Sequence, residues 1–124
     1  MSDHRQSVLT YWASAEARDW DTFATVLAEP VRYELPQTGE RITGRERYVR
    51  FNREYPGDWH LAVRDVLVDG DRAVSRLDFT VDGGTQQAVT FFAFDDAGLI
   101  TGVVDFWPAA YEPPPGREHL VDRA

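Results

Sequence analysis

A chain of 124 residues has the common size of a single domain and can bury one core, and the absence of cysteine excludes disulfides and thiolate chemistry. Thirteen Lys and Arg against 21 Asp and Glu give a net charge of −8, which disfavours nucleic acid and anionic membranes as partners. There is no apolar run long enough to span a membrane, and no signal peptide is recognisable at the start. We therefore expect one cytoplasmic domain over residues 1–124.

Apolar residues at helical spacing predict two helices at the start of the chain. The first covers about Asp3–Arg18, and Asp3 with Gln6 forms a variant capping box. The second begins after Asp19, whose side chain caps it. We expect it to end at Pro30, because the residue before a proline is pushed out of helical geometry.

A third helix is predicted after Thr43, which with Glu46 fits a capping box. Pro56-Gly57 ends this helix, and the arginines and glutamates along it are interpreted as a solvated face. The opposite face is mostly aromatic and contains Tyr48, Phe51, Asn52 and Tyr55.

The strands fall mainly in the second half of the chain, where apolar residues recur with a period of two. Val31–Leu35 is predicted as an early strand and Glu40–Ile42 as its short partner. Four longer strands joined by tight turns then form a meander: Trp59–Val68, Arg72–Val81, Gln86–Phe94 and Leu99–Trp107. Helices first and long strands last indicate an α+β fold with an antiparallel sheet.

Several of these strands are apolar on both faces. On the last strand, for example, Val104 and Phe106 alternate with Val103 and Trp107. Helices can cover one face of such a sheet, and a second subunit is the economical cover for the other. We therefore predict a homodimer through the sheet. The Pro113-Pro114-Pro115 tail is expected to lie extended over the surface, with a docking segment as the alternative.

Four stretches of the chain carry a recognisable pattern, and in chain order they are Glu34-Leu35-Pro36, Ile42-Thr43-Gly44-Arg45-Glu46, Trp59 with Asp69-Gly70-Asp71, and Gly98-Leu99-Ile100 leading to Asp105-Phe106-Trp107-Pro108. In this order they resemble the nuclear-transport-factor-2-like superfamily and its SnoaL-like group. The resemblance extends over nearly all residues and implies a cone-shaped α+β barrel, in which three N-terminal helices pack on a curved, mostly antiparallel sheet. The superfamily includes ketosteroid isomerases, polyketide cyclases, epoxide hydrolases, dehydratases and members without chemistry, so the fold does not give the function.

Asp105 is the candidate acid–base residue. It alternates in phase with Val103 and Trp107 on the last strand, and the period alone leaves open which face points inward. Superfamily enzymes often carry an inward acidic residue at this strand position, so the resemblance implies that Asp105 enters the pocket. Burial among aromatic side chains would then raise its pKa toward neutrality. The alternative is a structural carboxylate that pairs with Arg117 or caps the tail.

Arg76 and Asp78 share one face of the second meander strand. With Asp105 they are similar to the Asp–Arg–Asp group of limonene-epoxide hydrolase. That resemblance implies Asp105 as base, Asp78 as acid and Arg76 as the bridge between them. It is partial, because Arg32 and Glu34 are expected where that family carries a tyrosine and an asparagine.

The same strand allows the opposite orientation. Leu77, Phe79 and Val81 make an equally good core face, and Arg76 and Asp78 would then form a charge ladder on the surface.

The expected pocket holds a small apolar molecule. Its wall is predicted to contain aromatic residues together with Glu34 and Asn52. The alternative role of the aromatic residues is packing in the core. Glu34 has solvent exposure as its alternative, and Asn52 a bond to the backbone. The ligand-binding candidates are Trp12, Glu34, Tyr48, Phe51, Asn52, Trp59 and Trp107.

No cofactor or metal is expected, because the three histidines are isolated and no spacing of His, Asp and Glu is typical of a metal site. The leading hypothesis is a cofactor-independent acid–base enzyme of isomerase, cyclase or epoxide-hydrolase type. The alternative is a ligand-binding or dimerisation module of the same fold without turnover.

Overall fold

The computed structural model describes residues 3–124, and over that range three α-helices pack against a six-stranded sheet. The elements in chain order are α1 (His4–Ala17), α2 (Trp20–Thr25), β1 (Leu27–Leu35), β2 (Glu40–Thr43), α3 (Arg45–Arg53), β3 (Trp59–Asp69), β4 (Arg72–Val81), β5 (Gly84–Phe94) and β6 (Ile100–Phe106), followed by a short 3₁₀ turn at Glu118–Leu120. No helix of the described residues is long and apolar enough to cross a membrane.

The sheet has the strand order β2-β1-β6-β5-β4-β3. Strands β3 to β6 form the predicted meander, and β1 enters the sheet beside β6 in the parallel direction. Every other neighbouring pair is antiparallel, so the sheet is mixed but mostly antiparallel as expected. It curls around the helices without closing, which confirms the predicted cone-shaped α+β fold.

The first two helices begin where the sequence predicts. The Asp3 carboxylate accepts a hydrogen bond from the backbone N of Gln6 at 3.1 Å, and that of Asp19 accepts one from Thr22 N at 3.2 Å. The side-chain amide of Gln6 instead donates to Thr10 Oγ1, so the reciprocal half of the predicted capping box is not formed.

The predicted end of the second helix is wrong. Helix α2 ends at Thr25, and Pro30 lies inside β1. The register between β1 and β6 shifts between Leu27 and Arg32, so Pro30 occupies an irregular stretch of the strand. Proline is tolerated there because its missing N–H removes no ladder hydrogen bond.

The predicted capping box of the third helix is also wrong. Gly44 is the N-cap residue of α3, at φ 103°, and no side chain of the described residues caps this end. Thr43 is still paired with Arg32 in the β1–β2 ladder, and the next N–H, that of Gly44, donates to Val31 O at 2.8 Å. Thr43 therefore belongs to strand β2 and does not cap the helix, although the local sequence pattern predicts that it does.

Alternation along the strands divides the sheet into an inner face toward the helices and an outer face. On β4, Ala73, Ser75, Leu77 and Phe79 are buried on the inner face. The intervening residues point outward and are exposed or half-buried. After β6, residues 108–124 carry little regular structure and are almost entirely exposed.

Candidate functional site

A cavity of about 490 Å³ lies between the inner face of the sheet and the helices. Its volume falls within the range of small-molecule sites, which is about 300–1,000 Å³. Its wall is mainly aromatic and includes Trp12, Tyr33, Phe51, Trp59, Phe79 and Trp107.

Asp105 is the buried carboxylate of this cavity. Only 5% of the residue is exposed, and it lies on the inner face of β6 together with Val103. Its Oδ2 accepts a hydrogen bond from the Tyr33 hydroxyl at 2.8 Å, and its Oδ1 accepts one from Thr90 Oγ1 at 2.6 Å. Both donors come from strands adjacent to β6, with Thr90 directly opposite Asp105 on β5.

Two opposing effects set the pKa of Asp105. Burial raises it, because the ionised form loses its hydration. Hydrogen bonds from Thr90, Tyr33 and the Trp107 side chain offset part of that effect, because they stabilise the ionised form. The net result is a pKa above the ordinary aspartate value, so the group is a stronger base than a solvated aspartate.

A cluster of tyrosines lies around Tyr33, which donates a hydrogen bond to Asp105. The ring of Tyr33 stacks on Tyr48 with 4.7 Å between centroids, and the hydroxyl of Tyr48 is hydrogen-bonded to that of Tyr11. Burial is the main cause that raises the pKa of Tyr33 and Tyr48, and the nearby charge of Asp105 raises both further. Tyr33 therefore stays protonated at neutral pH and remains a hydrogen-bond donor.

Most of the predicted ligand-binding residues lie at the cavity. Asn52 also lines the cavity, and its Nδ2 donates to Tyr48 O at 2.8 Å, so the predicted bond to the backbone is present. The candidates that line the cavity are Trp12, Phe51, Asn52, Trp59 and Trp107.

Two predicted ligand-binding residues do not line the cavity. Tyr48 is 1% exposed and lies behind the wall, against Tyr33. Glu34 is only partly exposed, but it alternates with the inward-facing Tyr33 and points to the other side of β1.

The predicted Asp–Arg–Asp group is not formed. Arg76 and Asp78 lie on the outer face of β4, because Ser75, Leu77 and Phe79 take the inner positions. Arg76 pairs with Asp65 at 2.7 Å, and Asp78 pairs with Arg64 at 2.6 Å. The expected contact with Asp105 is therefore wrong, and the alternative of a surface charge ladder is what the structure contains.

Tyr33 and Thr90 are site residues that the sequence analysis missed. The sequence analysis places Arg32 and Glu34 on the inward face of the strand Val31–Leu35, whereas the buried residues are Val31 and Tyr33. The available signal was the apolar alternation of Val31, Tyr33 and Leu35. Thr90 had a weaker signal, as the one hydroxyl between the inward Ala88 and Phe92.

No group of three or more His, Asp or Glu suited to a metal ion occurs among residues 3–124.

The model of the SnoaL-like domain family matches residues 8–103. The chain belongs to the SnoaL-like family. This SnoaL-like protein is 52% identical to a candidate ketosteroid isomerase from Kribbella flavida, with a TM-score of 0.94. That alignment covers 98% of this chain and 89% of the relative. A comparison with curated proteins gave no match.

More distant structures share the fold alone. The LEH-like epoxide hydrolase of Mycobacterium tuberculosis has 20% identity and a TM-score of 0.71, over 85% of this chain and 82% of its own. A candidate SnoaL-like polyketide cyclase from Shewanella denitrificans has 16% identity and a TM-score of 0.74, over 85% and 90%. The family match over residues 8–103 and the relative of 52% identity confirm the superfamily inferred from the sequence motifs.

Proposed function

We propose that this SnoaL-like protein binds a small, largely apolar molecule in its cavity and catalyses a proton transfer on it without a cofactor. Asp105 is the acid–base residue. The observation that carries this proposal is the buried Asp105, 5% exposed, whose carboxylate lies in a mainly aromatic cavity and has a raised pKa. Perturbed carboxylates of this kind are typical of catalytic sites.

The distribution of carboxylates favours an isomerase or cyclase type of reaction over epoxide opening. The other carboxylate at the cavity belongs to Asp82, which is exposed in the β4–β5 turn beyond Gly84. Gly84 lies six residues before Thr90, which is the residue opposite Asp105. The distance from Gly84 to Thr90 along β5 is therefore roughly 20 Å. Two carboxylates so far apart do not act on one reacting centre, whereas a proton shift within one substrate needs a single base.

The chemistry would use Asp105 twice. Its carboxylate takes a proton from a carbon next to a carbonyl group; the electron pair of the broken C–H bond forms a C=C bond, and the π pair of the carbonyl moves to its oxygen. The neutral carboxyl group then gives the proton to another carbon of the conjugated enolate, whose C=C pair forms the new C–H bond while the oxygen pair re-forms the carbonyl. Tyr33 and Thr90 hold the carboxyl group in place throughout.

The developing oxygen charge needs a hydrogen-bond donor in the cavity. Tyr55 lines the cavity, and among the described residues its hydroxyl has no hydrogen-bond partner. Burial raises the pKa of Tyr55, so this hydroxyl stays protonated at neutral pH. We assign it the role of donor to the substrate oxygen.

Proton abstraction can be measured before the substrate is known. A panel of small apolar ketones is incubated with the protein in D₂O, and exchange of the hydrogens next to the carbonyl is followed by NMR. We expect the wild type to accelerate exchange of some ketones and Asp105→Asn to lower that rate by about 100-fold or more. Asp78→Asn is the matched control, because it breaks only a surface ion pair.

Retention of exchange by Asp105→Asn would overturn the assignment of the base. Thermal shift with the same ketones shows separately whether the substituted cavity still binds, since a ligand of the folded state raises Tm by mass action.

The second candidate is a ligand-binding module without turnover. It is favoured by one observation: both oxygens of Asp105 already accept hydrogen bonds within the protein, as a structural carboxylate does. Ketones that raise the Tm of the wild type without any exchange would support this second function and contradict the first.

A further inference from the structure

A second depression adjoins the cavity, and residues of β2 and α3 line it. It has a volume of about 780 Å³ and shares Leu35, Phe51, Tyr55 and Pro56 with the wall of the cavity. Two of these side chains, Tyr55 and Pro56, are exposed, so the two spaces adjoin at a shared rim. We call the second space the basic groove, because Arg41, Arg47 and Arg50 line it.

The basic groove carries an uneven set of charges. Its three arginines face two glutamates, Glu40 and Glu54, which gives a local charge of +1 on a protein whose net charge is −8. Arg50 and Glu54 neutralise each other in an ion pair at 2.6 Å. Glu40 accepts a hydrogen bond from Thr38 Oγ1 and pairs with no arginine in the described part of the chain.

Arg41 and Arg47 are exposed and form no ion pair within residues 3–124. They reach the groove from two elements, since Arg41 lies on β2 and Arg47 on α3. A guanidinium group presents several N–H donors in a planar fork that matches the oxygens of carboxylate and phosphate groups. Two such groups at one groove are suited to an anion.

The cavity on the other side of this shared rim carries the opposite charge. Asp105 lies in the buried part of the cavity, where an anionic group would meet both a carboxylate and an apolar wall. A ligand with one charged end can therefore enter in only one direction, with its apolar part at Asp105 and its anion at the arginines.

We propose that the ligand of this protein is an elongated apolar molecule that ends in an anionic group, and that Arg41 and Arg47 bind this group. The inference rests on the proposed function, because it assumes that the cavity holds the apolar part. It adds a substrate class and an orientation: the carbon that reacts lies at the end of the molecule remote from the anion.

The test compares a charged and a neutral form of one molecule. The carboxylate 6-(2-naphthyl)hexanoate and its methyl ester are titrated into the protein, and binding is followed by naphthalene fluorescence. For the wild type we expect the carboxylate to bind roughly fivefold to tenfold more tightly than the ester at low salt. This preference should shrink as ionic strength rises, because both arginines are exposed.

The double variant Arg41→Gln/Arg47→Gln should abolish the preference and leave the affinity for the ester within about twofold. Arg53→Gln is the matched control, since this exposed arginine of α3 does not line the groove and its loss should keep the preference. A naphthyl-alkyl phosphate run in parallel shows whether the arginines select between the two anions. Either anion supports the proposal if its preference over the ester disappears in the double variant.

Three results would overturn the inference. The first is that neither anion binds more tightly than the ester, and the second is that the preference for an anion survives in Arg41→Gln/Arg47→Gln. In both cases, binding of the ester is still consistent with the proposed cavity function. If neither the ester nor the anions bind, the proposed function falls together with the inference.

Discussion

The two hydroxyl donors to Asp105 have a measurable effect on its acidity. Each stabilises the ionised carboxylate, so each lowers a pKa that burial alone would raise further. They thus keep the buried group available as a base, while burial keeps that base strong. Neither donor needs to touch a substrate to have this effect.

We expect Tyr33→Phe and Thr90→Val each to raise the pKa of Asp105, because each removes a donor that favours the charged form. The midpoint is read from a ¹³C NMR titration of the Asp105 carboxyl carbon, which requires no substrate. Tyr55→Phe serves as the control, since this cavity tyrosine makes no hydrogen bond to Asp105 among the described residues. A midpoint that stays in place or falls in Tyr33→Phe would contradict this account.

The sequence predicted Asp105 but not its surroundings, and the reason is physical. An acidic residue between Val103 and Trp107 on an apolar strand can be recognised locally. Its contact with Tyr33 depends on the parallel pairing of β1 with β6, which joins residues 72 positions apart. For Arg76 and Asp78 the alternation fitted both faces equally well, and the packing of Ser75, Leu77 and Phe79 decided between them.

At the scale of elements, the connection from α3 to β3 forms part of the cavity rim. Pro56 and Gly57 line the cavity there, and Val81 at the end of β4 lines it beside them. Gly57 has φ +93°, and a Cβ placed on it would lie 2.8 Å from Val81 Cγ2. The rim therefore requires glycine for two separate reasons, its backbone conformation and its close approach to β4.

Substitution separates these two reasons. Gly57→Ala should lower the free energy of unfolding by about 2–4 kcal/mol, from backbone strain together with overpacking. Gly39→Ala is the matched control, because Gly39 also has a positive φ, +76°, but a Cβ there would meet nothing within 4 Å. We expect it to cost only about 1–2 kcal/mol.

Urea unfolding measures both values. Combining Gly57→Ala with Val81→Ala should make the glycine substitution no more costly than it is at Gly39. If the penalty at Gly57 is unchanged in that background, the contact with Val81 is not its cause.

Elements with strong periodicity were predicted well, while some of their ends were not. Helix α3 and the meander follow from amphipathic patterns that are local to each segment. The errors at Pro30 and Thr43 both arise on or beside β1, where pairing with β6 and β2 outweighs the local proline and capping signals. Such pairing depends on residues far along the chain, so no window of sequence contains it.

At the scale of the whole molecule, the outer face of the sheet has an apolar centre. Residues of three adjacent strands stand in register there: Val74 opposite Phe91, Phe91 opposite Val104, and Val89 opposite Phe106. Phe91 is 43% exposed and Phe106 is 37% exposed, and their rings pack edge to face at 5.9 Å. The Arg76–Asp65 and Arg64–Asp78 ion pairs lie on the same face, toward β3.

We propose that a second copy of the chain covers this apolar centre, as the two-sided pattern of the strands predicts. An apolar centre with paired charges beside it has the composition of a protein interface, and a twofold axis would place Phe91 and Phe106 against the same patch of the partner. Light scattering at micromolar concentration should then give the mass of a dimer. A monomer under those conditions would contradict the proposal.

Charge placed in the centre of the face should separate the two copies without unfolding either. Phe91→Lys/Phe106→Lys replaces two partly exposed side chains, so we expect a folded monomer with the wild-type circular dichroism spectrum. Ala13→Lys is the control, because this exposed residue lies on α1, on the opposite side of the molecule from the outer face, and should leave the dimer intact. Since Asp105 and the cavity open on the inner face, the monomeric variant should also keep ligand binding. Loss of binding on dissociation would instead mean that each cavity depends on the neighbouring copy.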